Sequence, residues 1–460
     1  MNSSHTHVDI VVIGAGTAGL TAFNEIKRSG RSVLLVDRGP LGTTCARVGC
    51  MPSKAALHAG HQANVLRHLA PDLPSQREVT DGLWRHARAT RDKLAEGAAQ
   101  RTRKGAGDCL IMGHARFVNP TTIDVDGRLI SASAFIVATG SHPVVPDALK
   151  KLESRLLTTD TLFELETLPR RIGILGLGAI GLEMGLALTR LGVEVVSADV
   201  QESIAGIRDP EVNTRAKEHF AGELKMWLGA PVDTALEGDA VRMTCGANYA
   251  DVDVLLAALG RKPNVGNLDL PSAGVQIDER GNPVIQERNL QSGSLPIFFA
   301  GDVVPARPLM HEAADEGLIA ARAALQCLEG QIDADALPGR RIFISIVFSD
   351  PDVCAVGTPY DKLDMARTVI GTAQGSGNGR SRILGAEDNL VRIYADRDSG
   401  VLTGASLVAS HGEHLAHLLA WAVQRKETLQ GLLDMPFYHP SVEEMLQSAL
   451  KDAETLRSAQ

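Results

Sequence analysis

The stretch VDIVVIGAGTAG at residues 8–19 decides the architecture of this chain. Its apolar run is typical of a buried strand, and the residues after it have the spacing of a helix. Gly14 permits a tight turn, Gly16 lets the backbone approach a pyrophosphate, and Gly19 allows the helix to pack closely on the strand. The motif therefore predicts a strand, a turn and a helix whose N-terminus binds the phosphates of a dinucleotide.

A second copy of this pattern lies at residues 172–181, with the sequence IGILGLGAIG. In the first copy the strand SVLLVD ends in Asp37, 23 residues after Gly14, and the second copy has an acid at the same spacing. Such an acid accepts hydrogen bonds from the ribose hydroxyls. The glycines and the acid of the second copy are Gly176, Gly178, Gly181 and Asp199. One glycine motif is weak support, but two complete copies predict two dinucleotide-binding folds.

Composition and charge limit the class of protein. The 460 residues are 44% hydrophobic and 22% charged, which is ordinary for a globular protein of several domains. A net charge of -9 provides no basic footprint for nucleic acid. The apolar runs are far shorter than the roughly 20 residues that cross a membrane, and the first strand begins too early for a cleaved leader. We therefore expect no nucleic-acid partner, no membrane span and a cytoplasmic location.

Six cysteines in so long a chain do not form the dense disulfide framework of a small secreted domain, which favours a reducing compartment. They are Cys45, Cys50, Cys109, Cys245, Cys327 and Cys354. We expect the last four to be buried small side chains. Cys45 and Cys50 stand out because they are close together in the segment GTTCARVGCMPSK, residues 42–54.

Three interpretations of Cys45 and Cys50 remain open from the residues alone. On an ideal helix they would be separated by a rise of about 7.5 Å, beyond the usual disulfide reach of about 6.8 Å. A disulfide therefore requires a distorted helix start, which Gly49 and Pro52 permit. Zinc binding is disfavoured by the spacing and by the lack of a second Cys or His pair nearby. Two unrelated buried thiols are the third alternative.

The rest of the chain predicts long helices and a separate C-terminal unit. Residues 58–102 lack strand patterns, so we expect helices that pack beside the first nucleotide fold. Strand candidates within residues 119–130 follow, and the runs FIVATG (135–140) and VLLAALG (254–260) end in small residues that let chain and cofactor approach closely. From Leu337 onward strand and helix candidates alternate without a nucleotide motif, which predicts an α+β unit suited to dimer contact.

The C-terminal segment FYHPSVEE, residues 437–444, carries a candidate catalytic base. Pro440 suits the first position of a helix, because the residues after it form an apolar stripe at helical spacing. We therefore expect His439 at a helix start and Glu444 about one turn inside, where its carboxylate orients the imidazole.

The chain resembles the class I pyridine nucleotide-disulfide oxidoreductases over essentially its whole length. The similarity is carried by residues 42–54 and by three further motifs, which are FFAGD (298–302), AALGRKPN (257–264) and VFSDP (347–351). The resemblance implies an α/β fold with two Rossmann-like dinucleotide-binding domains, for FAD and NAD, and a C-terminal α+β dimerisation domain. The implied boundaries are 1–145 and 263–336 for the two parts of the FAD-binding domain, 146–262 for the NAD-binding domain and 337–460 for the dimerisation domain.

The resemblance also implies which residues hold the cofactors. The flavin is expected on Gly14, Gly16, Gly19, Asp37, Lys54 and Asp302. Thr139, Gly140, Gly260 and Gly301 are further expected cofactor-binding residues. The pyridine nucleotide is expected on Gly176, Gly178, Gly181 and Asp199.

The same resemblance implies the catalytic roles. Cys45 and Cys50 form the redox disulfide, in which Cys50 lies against the flavin and Cys45 exchanges with the substrate. Lys54 is one helical turn beyond Cys50 and pairs with Glu183 near the flavin. His439, oriented by Glu444, serves the cysteines of the other subunit, so a homodimer is expected.

Within the family the residues favour the dihydrolipoyl dehydrogenases. Asp199 has no Arg beside it, which suits the free ribose of NAD and not the 2′-phosphate of NADP. No cysteine follows Cys354, so the C-terminal Cys pair of mercuric reductases and large thioredoxin reductases is missing. The expected substrate is a dihydrolipoyl group on a separate lipoyl-bearing protein, or free dihydrolipoamide.

Two alternatives stay open. One is NAD(P)H-dependent reduction of another small disulfide, as in glutathione reductase, and the other is a non-catalytic FAD-binding subunit. Thr43, Arg47, Tyr438 and Ser441 replace residues that are more usual in the family. These departures bear on which disulfide is the natural substrate, but they do not change the expected redox reaction.

Overall fold

Strands and helices cover most of the residues that this computed structural model describes, which are 6–70, 76–304 and 306–459. The strands are β1 Thr6–Ile13, β2 Val33–Asp37, β3 Leu110–Met112, β4 Ala115–Asn119, β5 Thr122–Val125, β6 Arg128–Val137, β7 Ser141–Pro143, β8 Leu156–Leu157, β9 Arg171–Leu175, β10 Glu194–Asp199, β11 Lys225–Leu228, β12 Asp233–Glu237, β13 Ala240–Cys245, β14 Asn248–Val252, β15 Val254–Ala257, β16 Arg261–Pro263, β17 Ile297–Phe299, β18 Ile344–Val347, β19 Asp352–Gly357, β20 Thr368–Gln374, β21 Leu390–Asp396 and β22 Leu402–Ala409.

The helices are α1 Thr17–Arg28, α2 Thr44–Arg47, α3 Cys50–Leu69, α4 Gln76–Ala106, α5 Asp147–Lys150, α6 Thr159–Leu162, α7 Ala179–Arg190, α8 Pro210–Phe220, α9 Met310–Leu328, α10 Gly379–Ile383, α11 Gly412–Arg425, α12 Leu429–Leu433 and α13 Glu444–Ser458. The chain divides into two units. The first consists of Met1–Pro52, Arg88–Val144 and Gly260–Arg341, and the second of Ser53–Ala87, Val145–Leu259 and Ile342–Gln460.

The first unit is built on a seven-stranded sheet in the order β3-β2-β1-β6-β5-β4, with β17 also paired to β6. The neighbours of β1 run parallel to it, whereas β4, β5 and β6 are joined by antiparallel pairs. Ile10, Val11 and Val12 in β1 are fully buried, and α1 buries Phe23 and Ile26. The predicted strand, turn and helix are therefore confirmed for the first motif.

The second unit contains a five-stranded parallel sheet in the order β11-β10-β9-β15-β8, and α7 follows β9 directly. The second copy of the motif therefore has the predicted strand, turn and helix as well. An antiparallel sheet of β12, β13 and β14 accompanies this nucleotide fold. The sequence patterns did not predict that sheet, because its short strands lack a continuous apolar run.

The C-terminal part of the second unit is an antiparallel sheet in the order β18-β19-β22-β21-β20, on which α11 and α13 pack. The predicted α+β character is confirmed, although β19 and β20 had not been foreseen. The predicted start of the last helix at Pro440 is wrong, because α13 begins at Glu444. The backbone N–H groups of Met445 and Leu446 donate to the carbonyls of Val442 and Glu443, three residues earlier, so the residues just before α13 form a turn.

The long helices predicted over residues 58–102 are present as α3 and α4, and residues 71–75 of that prediction lie outside the described ones. Residues 88–102 belong to the first unit, which contains the first nucleotide fold, whereas residues 58–70 and 76–87 belong to the second unit. There, α3 packs against α7: a Cβ at Gly60 would lie 2.9 Å from the carbonyl oxygen of Ala187. The absence of a side chain at Gly60 allows this approach.

None of the described helices is both long and apolar enough to span a bilayer. Similarly, the described His, Cys, Asp and Glu side chains form no cluster of three or more that could hold a metal ion.

A buried ionic network ties α8 to the C-terminal sheet within the second unit. Asp209 is fully buried and caps α8, since its Oδ1 accepts from the backbone N–H groups of Glu211 and Val212 at 3.0 and 3.3 Å. Its Oδ2 accepts from Arg392 Nε at 2.9 Å and from Tyr394 Oη at 2.7 Å. Burial and the Asp209 charge hold the pKa of Tyr394 well above its usual range, so its hydroxyl stays a donor.

We expect Asp209→Ala to destabilise the second unit by about 3–5 kcal/mol, because the change leaves the Arg392 guanidinium buried without its central partner. The measurement is the thermal unfolding midpoint. Glu218→Ala is the matched control, because Glu218 is an exposed residue of the same helix. A midpoint for Asp209→Ala that equals the control value would contradict the structural role of this network.

Candidate active site

The turn between β1 and α1 can be built only with glycine at two positions. Gly14 has φ +109°, and a Cβ on it would overlap the carbonyl oxygen of Ala138. A Cβ on Gly19 would overlap the carbonyl oxygen of Gly14. Both glycines are therefore required by the packing of the chain on itself.

The turn between β9 and α7 repeats these contacts in the second unit. Gly176 has φ +92°, and its Cβ would overlap the carbonyl oxygen of Ala258, while a Cβ on Gly181 would overlap the carbonyl oxygen of Gly176. The duplication seen in the sequence is thus also a duplication of atomic contacts.

The middle glycine of each motif is not required by the chain. Of the described atoms, a Cβ on Gly16 would meet only the Ala138 carbonyl oxygen, at 4.0 Å, and one on Gly178 would meet nothing within 4 Å. Both residues cap their helices without a side-chain hydrogen bond. Open space in front of a helix N-terminus fits a pyrophosphate, so each turn suits a dinucleotide.

The acids at the ends of β2 and β10 hold matching positions. Asp37 Oδ2 accepts from the N–H of Ala15 at 2.6 Å, and Asp199 Oδ2 accepts from the N–H of Leu177 at 2.6 Å. Each carboxylate is thereby oriented beside its glycine turn. Because a carboxylate oxygen has more than one lone pair, both acids can still accept from ribose hydroxyls.

Asp302 belongs to a hydrogen-bonded chain in the first unit. Its Oδ2 accepts from Ser141 Oγ at 2.9 Å, and Ser141 Oγ accepts in turn from Arg261 Nε at 2.8 Å. Three predicted site residues directly precede Ser141 and Arg261 in the chain. Thr139 Oγ1 donates to the carbonyl of Asn264 at 2.8 Å. Gly140 and Gly260 have positive φ angles, of +68° and +95°. The sequence patterns did not identify Ser141, Arg261 or Asn264 as site residues.

Glu316, which the sequence patterns also did not identify, holds the backbone of Gly301. The Gly301 N–H donates to Glu316 Oε2 at 2.7 Å, and Arg340 Nη2 lies 2.8 Å from Glu316 Oε1. Burial raises the pKa of Glu316 to about 7, although the Arg340 charge opposes this shift. Glu316 therefore fixes the backbone directly before Asp302. The signal available in the sequence was the pair of acids, Glu312 and Glu316, within the mostly apolar buried face of α9.

The two cysteines of the candidate redox pair lie in the first unit on either side of a helix break. Cys45 is in α2, which ends at Arg47, and Cys50 is the first residue of α3. A Cβ on Gly49 would lie 3.3 Å from the Cα of Cys45, so the connection folds tightly back onto Cys45. The distorted helix start that a disulfide requires is therefore present. That Cys45 and Cys50 form a disulfide with each other stays a prediction.

Lys54 and Glu183 form an ion pair in the second unit, as predicted. Lys54 Nζ lies 2.7 and 2.8 Å from the two carboxylate oxygens of Glu183, whose side chain is only 5% exposed. The backbone N–H of Phe348 also donates to Glu183 Oε1, at 3.1 Å, and Lys54 Nζ lies 4.6 Å from the centre of the Phe348 ring. Phe348, which the sequence did not identify, thus fixes both members of the pair.

His439 and Glu444 are also brought together. His439 Nδ1 lies 3.0 Å from Glu444 Oε1, and the N–H of Ser441 donates to Glu444 Oε2 at 3.0 Å. The hydrogen bond from Ser441, with that from His439, holds the pKa of Glu444 below its usual range. With Nδ1 donating to a carboxylate, Nε2 is left as the proton acceptor. The His439 side chain is 79% exposed, which makes it accessible to another subunit.

We expect Gly178→Ala to fold normally and to bind NADH about tenfold more weakly, a loss of about 1.4 kcal/mol. The alanine methyl group would occupy the space that the pyrophosphate needs, whereas φ of -63° at this position is allowed for alanine. The measurements are the dissociation constant of NADH and the thermal midpoint. Gly181→Ala is the contrasting variant, because its methyl group would overlap the Gly176 carbonyl and lower the midpoint. Unchanged NADH binding in Gly178→Ala would rule out this assignment.

Comparison with known proteins agrees with the geometry. Residues 8–317 match the family model described as pyridine nucleotide-disulphide oxidoreductase, and residues 344–450 match the dimerisation domain of the same family. The chain is 30% identical over 458 residues to a dihydrolipoyl dehydrogenase of Thermus scotoductus, with 96% of each chain covered. It is 29% identical over 446 residues to a mercuric reductase of Staphylococcus aureus, with 93% of this chain and 79% of the reductase covered.

A solved structure of the HOCl-induced flavoprotein disulfide reductase RclA from Escherichia coli has the same fold. It matches with a TM-score of 0.81 at 22% sequence identity, covering 97% of this chain and 99% of that one. The fold is therefore two Rossmann-like nucleotide-binding folds with a C-terminal α+β dimerisation domain, its cofactors are FAD and NAD, and the dimerisation domain supports a homodimer. This chain is a member of the pyridine nucleotide-disulphide oxidoreductase family.

Proposed function

We propose that this protein is a dihydrolipoyl dehydrogenase, which converts a dihydrolipoyl dithiol and NAD+ to the lipoyl disulfide, NADH and a proton. The observation that carries the proposal is the position of Cys45 and Cys50 on the two sides of a helix break, directly after the first nucleotide fold. A pair of thiols in this setting can cycle between dithiol and disulfide.

The cofactors supply the electron transfer, since FAD when bound takes two electrons from a dithiol and NAD+ takes them as hydride. In the chain, Asp37 and Asp302 would hold the FAD, and α3 carries both Cys50 and Lys54 on successive turns. Glu183 and Phe348 fix the Lys54 ammonium by direct contact. A fixed cation on the helix that begins with Cys50 favours the thiolate form of this cysteine.

We assign His439 as the base that takes the proton of the substrate thiol. Its Nδ1 is occupied by Glu444, so Nε2 is the atom that takes the proton. Because the His439 side chain is largely exposed, we assign it to the cysteine pair of the other subunit in the homodimer. Cys45 would then be the thiol that exchanges with the substrate.

NAD is favoured over NADP by the residues after β10. Asp199 is followed by Val200 and Gln201, so no basic side chain stands next to the acid. A carboxylate accepts a hydrogen bond from a free 2′-hydroxyl but repels a 2′-phosphate. This supports an NAD-linked dehydrogenase over an NADPH-linked reductase.

Other activities in the family fit this chain less well. The mercuric reductase of Staphylococcus aureus is one of its relatives, but no cysteine follows Cys354 here, so this chain lacks a C-terminal thiol pair. A cytoplasmic location is part of the proposal, because a reducing compartment keeps the remaining four cysteines as thiols. The dihydrolipoyl group would be carried by a separate lipoyl-bearing protein or supplied as free dihydrolipoamide.

We expect Cys50→Ser to lower dihydrolipoamide turnover with NAD+ by about a thousandfold or more, because the disulfide can no longer form. The wild-type protein should turn over dihydrolipoamide with NAD+ faster than glutathione disulfide with NADPH. Cys109→Ser is the matched control, since Cys109 lies outside the candidate site. Turnover that survives in Cys50→Ser, or a preference for NADPH and glutathione disulfide, would reject the dehydrogenase.

We expect Glu444→Gln to lower dihydrolipoamide turnover by about 10- to 100-fold, because general base catalysis is weakened when the imidazole loses its orienting carboxylate. NADH oxidation by ferricyanide should stay unchanged, as it requires no proton acceptor for a thiol. Because the pKa of Glu444 is lowered, the wild-type carboxylate stays charged well into the acid range and should not set the acidic limb of the pH profile. The neighbouring Glu443→Gln is the control. Equal loss of both reactions in Glu444→Gln would indicate a structural role instead.

A further inference from the structure

A cavity of about 420 Å³ opens beside Cys45 in the first unit. Its walls come from α1, from the segment that carries Cys45, and from α4. On α4 the lining residues Leu94, Ala98, Arg101 and Gly105 recur at helical spacing, so one face of this helix forms a wall. A cavity of this size holds a small organic molecule.

The segment with Cys45 rests directly on this wall. A Cβ on Gly42 would lie 2.8 Å from the carbonyl oxygen of Ala95, so the backbone just before Cys45 touches α4. Across the cavity, α1 presents Thr17, Leu20 and Asn24, which also share one helix face. The wall is therefore mostly apolar, with a thiol at one side.

Arg101 is the one charged side chain among the residues that line this cavity. It is exposed, and no acid among the described residues forms an ion pair with it. Its Nη1 lies 3.5 Å from the position of a Cβ on Gly97, one turn earlier, so the guanidinium lies back along α4.

The neighbouring acids are already paired with other cations. Glu96 pairs with Arg103 at 3.5 Å, and Glu25 pairs with Arg28 at 2.9 Å and with Arg322 at 3.0 Å. In addition, Lys27 Nζ donates to the carbonyl of Gly105, a lining residue, at 2.9 Å. Lys27 therefore places a second positive charge next to a residue that lines the cavity.

We infer that Arg101 is a specificity-determining residue that binds the carboxylate of an acidic dithiol in this cavity. The inference rests on the proposed function in assigning the cavity to the substrate of Cys45. A guanidinium beside a mostly apolar wall attracts an anion more strongly than one in open water. Besides the dihydrolipoyl amides of the proposed function, the chain therefore accepts an acid, free dihydrolipoate, and Arg101 raises its kcat/KM for this acid.

Dihydrolipoate and dihydrolipoamide test this inference because they differ only in a carboxylate and an amide. High salt should lower the ratio of the wild-type kcat/KM for dihydrolipoate to that for dihydrolipoamide, because salt screens the guanidinium charge. In Arg101→Gln the kcat/KM for dihydrolipoate should fall about tenfold, while that for dihydrolipoamide stays within about twofold. Arg103→Gln, an exposed residue of the same helix outside the cavity, should change neither value. Equal loss of both substrates in Arg101→Gln, or a wild-type ratio that does not change with salt, overturns the inference.

Alkylation of Cys45 separates this inference from the proposed function. In the Cys50→Ser protein, the Cys45 thiolate displaces iodide from iodoacetate, an anion, or from iodoacetamide, its neutral counterpart, and peptide mass mapping identifies the modified residue. The ratio of the iodoacetate rate to the iodoacetamide rate should fall about tenfold when Arg101→Gln is added. If wild-type protein oxidises neither dithiol but this ratio falls, the dehydrogenase is rejected and the anion preference stands. If the ratio is unchanged, the role of Arg101 is rejected whatever the substrate.

Discussion

The close approach of backbone to backbone at the glycine turns is the constraint on which the rest of this structure depends. Gly19 packs against Gly14, and Gly14 packs against Ala138, so α1 begins directly above the parallel strands β1 and β6. On its other side α1 meets Gly317 of α9, where a Cβ would overlap the carbonyl oxygen of Ala18. Any side chain at these positions would push α1 away and remove the helix N-terminus from the phosphate site.

The two copies of the turn share their contacts but differ in what surrounds them. The first is followed by the segment with Cys45 and Cys50, and its sheet is joined by β17, which leads to Gly301 and Asp302. The second packs its helix α7 against α3 through Gly60 and places Glu183 beside Lys54. The same local arrangement of strand, glycine turn and helix thus occurs twice, in two different surroundings.

Three buried carboxylates have cationic partners, because an isolated charge away from water is costly. Glu183 is paired with Lys54, Glu316 with Arg340 and Asp209 with Arg392. Glu183 and Glu316 each also accept from a backbone N–H, of Phe348 and Gly301 respectively. These acids therefore fix backbone segments as well as balancing charge, which explains how loops next to the candidate site keep a defined conformation.

The sequence alone determined the two nucleotide folds and the acids Asp37 and Asp199, because the strand, the turn, the helix and the acid of each copy lie in one short continuous stretch of chain. Tertiary structure decided the rest. Asp302, Ser141 and Arg261 meet across more than a hundred residues of chain, and α13 begins at Glu444 instead of Pro440. The contact of α3 with α7 and the cavity that contains Arg101 are likewise products of packing. No periodicity or local propensity encodes such contacts, since they exist only when distant segments share the same core.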